Sequence, residues 1–181
     1  MKVLGLDPSL TSTGLALVEG GKVLELKRIR SKKKGHERVQ EILSEVIYYA
    51  AQADMVGIEG VAYGAKGSSV AQIFGLWGVL THALWGLGPR GGGDNYYVVP
   101  PTVRAKYGSG KGNAGKDEVL AAVIRRYLDV DVTGNDVADA LVIAAMGARQ
   151  YDAPLEANLP AANLKAMEGV TWPELQRAQS R

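Results

Sequence analysis

Four carboxylates stand where charge is costly. Asp7 closes the apolar run VLGL, Glu59 interrupts MVGIEGV at residues 55–61, and Asp136 and Asp139 lie in the otherwise apolar NDVADALVIAAMGA. An ionised carboxylate in a low-dielectric setting is unfavourable unless it is paired or bound to a cation. Each acid has an ordinary explanation when taken singly. Asp7 could cap a turn, Glu59 could pair with a lysine, and Asp136 could complement a helix dipole. Four such acids in one chain call for a common cause. Asp136 and Asp139 are three residues apart, which puts them on one helical face. Two Mg²⁺ ions would balance the four charges, and Mg²⁺ takes oxygen ligands while keeping several waters. Two such ions about 4 Å apart can activate a water and stabilise the leaving 3′-oxygen of a phosphodiester. The expected chemistry is phosphodiester hydrolysis assisted by Mg²⁺, two ions per site, with Mn²⁺ able to substitute. A zinc site is not expected, because the chain has no cysteine and only His36 and His82, neither placed among other ligands.

The elements that would position these acids follow from periodicity. Residues 2–6, 13–18 and 22–29 read as strands, the last two joined by a Gly20-Gly21 hairpin turn. Val39, Ile42, Leu43, Val46 and Ala50 recur at helical spacing. Residues 55–61 read as a strand carrying Glu59. A helix over residues 68–87 is apolar on more than one face: Val70, Ile73, Phe74, Trp77, Leu80 and Leu84 form a stripe, and Leu76, Val79 and Trp85 fall outside it. Residues 95–99 form a fifth strand stopped by Pro100-Pro101, and residues 108–115 read as a flexible loop. An amphipathic helix follows over 116–128, then an apolar one to about residue 148, with Asn135 as its N-cap. The order β-β-β-α-β-α-β-α-α predicts a mixed five-stranded α/β sheet, antiparallel in its leading strands and flanked by helices. Residues 1–149 would form the main domain. Residues 150–181 would be an extension whose Thr171-x-x-Glu174 capping box could start a short helix.

Composition is that of an ordinary globular chain, at 46% apolar and 22% charged residues, so disorder is excluded as a class. No apolar run reaches membrane-spanning length and the N-terminus is no signal peptide, so a cytoplasmic location is expected, in a bacterial cell or a phage-infected host. Net charge is only +2, but its distribution is uneven. Lys27, Arg28, Arg30, Lys32, Lys33, Lys34 and Arg38 fall in one stretch, and Arg104, Lys106, Lys111 and Lys116 in another. Either run alone could be a solvated face. Two runs flanking metal-binding carboxylates favour phosphate contacts.

The chain resembles the RuvC family of Holliday junction resolvases, within the ribonuclease H-like superfamily. The matching segments, in order, are LGLDPSLTSTGLALVE (4–19), VGIEGVAYGAKGSS (56–69), PTVRAKYGSGKGNAGKDEV (101–119) and NDVADALVIA (135–144). The resemblance implies a ribonuclease H-like fold and an endonuclease that makes paired nicks in four-way or other branched DNA, leaving 5′-phosphate ends. It implies that Asp7, Glu59, Asp136 and Asp139 hold the metal and that Lys116 contacts DNA and assists at the scissile phosphate. Arg104 falls where the family usually has a second lysine, and Lys106 could fill that role instead. Lys111 joins them on the expected DNA-binding surface, with Lys32, Lys33 and Lys34. The resemblance also implies a homodimer through the helix near residues 68–87. A helicase partner is left unidentified. One departure concerns the aromatic residue often found three positions after the glutamate, which unstacks bases at the junction. Ala62 stands there, and Tyr63 next to it is the candidate replacement.

Other readings of the residues are weaker or remain open. Gly110-x-x-x-x-Gly115-Lys116 comes within one residue of a phosphate-binding P-loop, but Asp117 stands where a Ser or Thr should bind Mg²⁺. A two-domain sugar kinase would need a longer chain. A related nuclease acting on flaps or other branches would carry the same acids. A catalytically silent DNA-binding protein would hold branched DNA without cutting it.

Overall fold

A computed structural model describes residues 1–61, 70–88, 93 and 95–174. The three leading strands, β1 (Lys2–Asp7), β2 (Thr13–Glu19) and β3 (Lys22–Ile29), form an antiparallel meander in which Asp7 lies opposite Gly14 and Thr13 opposite Ile29. Two further strands, β4 (Met55–Glu59) and β5 (Tyr96–Val99), add in parallel on the other side of β1, giving the order β3-β2-β1-β4-β5. The mixed five-stranded sheet expected from the sequence is therefore present. Its register decides the chemistry. Leu6 pairs with Ile58, so the two parallel strands end side by side and bring Asp7 next to Glu59.

Side chains alternate across the pleat. Leu4, Leu6, Val56 and Ile58 face one helical layer, built from α1 (Gly35–Ala50) and α2 (Val70–Gly86), where Ile42, Val46, Leu76, Leu80 and Leu84 complete the core. Val3, Ala16 and Val18 face the other layer, dominated by α5 (Asn135–Gln150). Every residue of α5 from Val137 to Ala148 is buried, Asp139 included. Small residues make this possible. A Cβ at Gly5 would collide with the Ala140 carbonyl, so the helix lies directly on β1. That contact sets the N-terminus of α5 over the ends of β1 and β4.

Four expectations are corrected. The Pro100-Pro101 pair does not simply stop β5 but begins α3 (Pro101–Ser109), which ends at Gly110 with φ 90°. Proline at a first helical position needs no N–H partner and has its φ preset, so the same residues that end a strand start a helix. The expected loop from residue 108 is thereby shortened to residues 110–115, ahead of α4 (Lys116–Arg126). Asn135 is the first helical residue of α5 rather than its cap; Gly134 holds the cap position, without a side-chain bond. In α2, Leu76 is only 1% exposed and belongs to the core, while Phe74, Val79, Trp85 and Leu87 are exposed. A helix apolar all round lets the sequence choose its buried stripe only ambiguously, and the sheet selected Leu76-Leu80-Leu84. Finally, helix in the extension begins earlier than the capping box, as α6 (Ala161–Leu164) followed by a 3₁₀ turn (Lys165–Gly169); residues 171–174 are irregular and those beyond lie outside the described residues.

The extension packs on the main body. Ala166 and Val170 are buried with the α5-side core, Gly169 abuts Val103, and the Trp172 ring lies 4.8 Å from that of Tyr97. Among the described residues no helix is long and apolar enough to cross a membrane.

Candidate active site

Three elements deliver the four acids. Asp7 and Glu59 end the adjacent parallel strands β1 and β4, and Asp136 and Asp139 lie in the first turns of α5. Asp7, Glu59 and Asp136 line one cavity of about 600 Å³, whose wall also includes Ser12, Arg28, Arg104 and Lys116. Asp139, 1% exposed, is not part of its wall but pairs with Arg104, which is. Thus all four sequence candidates converge, although they come from positions up to 132 residues apart (139 minus 7).

Two guanidiniums reach these acids. The Arg104 side chain, buried on α3, donates from Nε to Glu59 Oε1 at 2.8 Å and from Nη1 to Asp139 Oδ1 at 2.6 Å. Burial works against its charge, but Glu59, Asp139 and Asp7 together raise its pKa above the ordinary arginine value. Arg28, on β3, brings its Nε to 3.0 Å from Asp136 Oδ1. Asp136 also accepts a hydrogen bond from the Ser12 hydroxyl at Oδ2 and from the Val137 N–H, 3.2 Å away, at Oδ1. Asp139 Oδ2, by contrast, is buried without any hydrogen-bond partner.

The electrostatics show incomplete neutralisation. Burial, then the neighbouring Glu59 and Asp139, push the Asp7 carboxyl well above its usual range, with Lys116 opposing them. Burial likewise raises Asp139 to about 7, against the opposing pull of Arg104. A carboxyl so perturbed in a cavity is a functional candidate on physical grounds. The donor set suits a hard divalent cation: four carboxylates, no thiolates, and one buried oxygen with no partner. Among the described residues, no three acids or histidines yet converge on a single point as a closed ion cage. The Arg104 guanidinium stands between Glu59 and Asp139 and accounts for that spacing.

The basic candidates separate. Lys116, the first residue of α4, is exposed at the rim, near enough to lower the pKa values of Asp7 and Asp139. Arg104 lines the cavity and Lys106 does not, so the structure brings only the former to the acids. Lys111 is exposed and paired with Glu118 at 3.0 Å. Lys32, Lys33 and Lys34 are exposed ahead of α1 and do not line this cavity. Ala62 and Tyr63 lie outside the described residues. His36 is exposed, and His82 stacks on Trp85 at the outer face of α2. Sequence reasoning missed Ser12 and Arg28 as site residues. The signal for Arg28 was only its place in a basic run, two residues before Arg30, whose Nε approaches Ser12 Oγ at 3.4 Å.

Comparison with known proteins agrees with this architecture. The family profile described as "Crossover junction endodeoxyribonuclease RuvC" matches residues 3–146. A curated relative of that name from Mycobacterium avium (strain 104) is 33% identical over 154 residues, covering 80% of this chain and 79% of the relative. Another from Prochlorococcus marinus is 31% identical over 162 residues, covering 81% and 97%. Among solved structures, that of Thermus thermophilus RuvC in complex with Holliday junction substrate superposes with a TM-score of 0.65 at 26% identity, over 85% of this chain and 98% of that one. The fold is shared more distantly with the Fowlpox virus Holliday junction resolvase–DNA complex, at TM-score 0.56 and 12% identity over 83% and 99% of the two chains. With four acids gathered at the ends of β1 and β4 and the start of α5, and a profile match over most of its length, this chain belongs to the RuvC family.

Proposed function

We propose that the chain is a crossover junction endodeoxyribonuclease, cutting four-way DNA junctions by divalent-metal-assisted phosphodiester hydrolysis. The observation that carries this reading is the convergence of Asp7, Glu59, Asp136 and Asp139 in a chain of this family, with Asp139 Oδ2 left unsatisfied. These four residues would hold the metal, with Mg²⁺, two ions per site, as the expected form and Mn²⁺ as a substitute. Bound there, it would activate water and stabilise the leaving 3′-oxygen. The chain's own groups do the rest. Lys116 at the rim places positive charge against the scissile phosphate. Arg104, held by two carboxylates, supplies a second fixed charge in the cavity wall. Ser12 holds the Asp136 carboxylate in place.

Two sites acting on opposed strands require two copies. The exposed side of α2 supports a homodimer: Phe74, Val79 and Trp85, with Leu87 just past its end, are exposed, and a Cβ at Gly75, Gly78 or Gly86 would meet nothing within 4 Å. Exposed apolar residues beside small ones suit close helix packing. Light scattering at micromolar concentration should give a dimer that Val79→Glu converts to a folded monomer; a monomeric wild type would end this part of the reading.

The activity itself is tested with a panel of four-way junction, flap, fork and linear duplex DNA, each in Mg²⁺ and in EDTA. Cutting of the junction in Mg²⁺ alone, leaving 5′-phosphate ends, is expected. Asp7→Asn should still bind the junction within a few-fold while losing cleavage. Preferential cutting of flaps would move the protein to a different branched substrate, and binding without cutting would make it a silent binder.

A further inference from the structure

The Arg28–Asp136 pair joins one of the four acids to a residue outside the matching sequence segments. Arg28 comes from β3, the edge strand farthest from β4, and Asp136 from the first turn of α5. The guanidinium has two anchors. Its Nε faces Asp136 Oδ1, and its Nη2 donates to the Thr133 carbonyl in the loop before α5. The loop is shaped around it. At Gly134 the backbone is extended, with φ 165°, a conformation open to any residue. A Cβ there would nevertheless collide with Arg28 Nη2 and lie only 2.9 Å from its Cζ. Glycine at 134 thus makes room for the guanidinium rather than for an unusual backbone.

The pairing bears on ion binding. A carboxylate offers about four lone-pair positions. At Asp136, Oδ1 accepts from the Val137 N–H and Oδ2 from Ser12, while Arg28 Nε lies 3.0 Å from Oδ1 as an ion pair without a hydrogen bond. A divalent ion seeking this carboxylate meets the positive charge of Arg28 already beside Oδ1, across a partly desolvated cavity wall. The second anchor, on Thr133, keeps that charge in place whichever way Asp136 turns. We infer that Arg28 is a positioning residue that acts as a resident counter-cation of Asp136, lowering the affinity of the free protein for divalent metal. A DNA phosphate entering the same cavity would give the guanidinium a new acceptor and so free Asp136 for the ion. In this way Arg28 would couple metal loading to the presence of substrate.

This inference rests on the reading that the four acids hold metal, and calorimetric titration of the free protein with Mn²⁺ separates the two. Arg28→Met keeps the length of the side chain and removes its charge. It should bind Mn²⁺ roughly three- to tenfold more tightly than wild type, the range expected for removing one charge several ångströms from a divalent ion in a partly hydrated site. Gly134→Ala leaves the arginine in the chain but evicts it from its cradle, and should shift the affinity the same way. Arg28→Lys retains the charge and should stay within about twofold of wild type. A merely structural role for Arg28 would weaken Mn²⁺ binding in both variants, because Asp136 would lose its support. Unchanged or weaker binding by Arg28→Met and Gly134→Ala, with circular dichroism like wild type, would therefore overturn the counter-cation role. Absence of Mn²⁺ binding in wild type and all variants would overturn both the role and the metal site beneath it.

Discussion

Among the described residues, two sites hold buried carboxylate, and one of them is left unsatisfied. Glu156, in the C-terminal extension, is 8% exposed, as is Asp7. Every oxygen of Glu156 has a partner: Oε1 accepts from the Tyr127 hydroxyl, and Oε2 from the Tyr107 hydroxyl at 3.3 Å and Arg149 Nη2 at 3.2 Å. Arg149 Nε in turn donates to the Tyr107 hydroxyl at 3.0 Å. One acid, one arginine and two phenols close the network, and burial with the adjacent carboxylate holds both phenols above the usual tyrosine range. At the other cluster four acids share two arginines, Asp139 Oδ2 has no partner, and Asp7 and Asp139 are pushed upward. Burial is common to both clusters. What distinguishes the four-acid cluster is its deficit of positive charge, which a purely structural cluster has no reason to keep. The helix α3 joins them, since Arg104 faces the acids and Tyr107, one turn later, is held by Glu156 and by Asn163, whose Nδ2 donates to the Tyr107 carbonyl at 2.7 Å. On this reading residues 1–149 carry the site, and the extension from residue 150 straps α3, and hence Arg104, in place.

The sharpest way to break the comparison is to remove one acid from each cluster. Glu156→Ala strands a half-buried arginine and two buried hydroxyls, and should destabilise the fold by about 1–3 kcal/mol. Asp139→Asn should do the opposite in EDTA, raising or preserving stability by removing an under-neutralised charge, while junction cleavage falls at least about a hundredfold. Chemical denaturation and a cleavage time course measure the two effects. If Asp139→Asn proved the more destabilising in EDTA, both clusters would be structural in the same sense.

The next effect should appear in the pH dependence of stability. Asp139 titrates from an ordinary value of 3.8 to about 7 on folding. Between these values the folded chain binds more protons at this site than the unfolded one, so stability is lost as pH rises. The contribution is fully present below pH 3.8 and gone above about 7. In EDTA it should amount to about 3 kcal/mol between pH 4.5 and 7.5, roughly 2.5 pH units at about 1.4 kcal/mol each, the pull of Arg104 being already contained in the value of about 7. Mn²⁺ should flatten the slope, because the ion favours the charged carboxylate. Asp139→Asn should reduce the slope, the remainder belonging to Asp7, which burial also pushes upward. A profile unchanged by Asp139→Asn would place the perturbed carboxyl elsewhere.

The contrast also shows what a sequence can reveal. The four acids were legible because charge at the end of a buried strand or within an apolar helix violates a local rule, and the violation is visible in the surrounding ten residues. The sheet was legible because period-two runs and a Gly-Gly turn are equally local. Arg28, Ser12 and Glu156 were not, because their roles depend on partners 108, 124 and 49 positions away: Asp136 for the first two and Tyr107 for the third (136 minus 28; 136 minus 12; 156 minus 107). Helix α3 is not legible because Pro101 signals a strand end and a helix start alike. Leu76 was misplaced for a related reason, since α2 offers several apolar stripes and only the sheet selects among them.

The smallest expected effect concerns the surface around the two clusters. Among the described residues no lysine joins the Glu156 network, whereas the four-acid cavity has Lys116 at its rim and Lys32, Lys33 and Lys34 exposed farther off. If the under-neutralised cluster is where DNA is cut, these lysines differ in what they contribute. Lys116→Ala removes charge beside the scissile phosphate and should slow cleavage more than it weakens junction binding. The triple change of Lys32, Lys33 and Lys34 to Ala removes only a remote track for the backbone. It should leave cleavage of saturated enzyme nearly unaltered and weaken binding a few-fold at moderate salt. Counterion release makes the distinction quantitative, because each lost phosphate contact lowers the slope of log affinity against log salt by about one unit. Binding to a static junction across a salt series, in EDTA so that nothing is cut, measures it. A slope in the triple variant equal to that of wild type would assign residues 32–34 to a solvated face and confine the DNA footprint to the cavity, Lys116 and the two arginines that already pair with its acids.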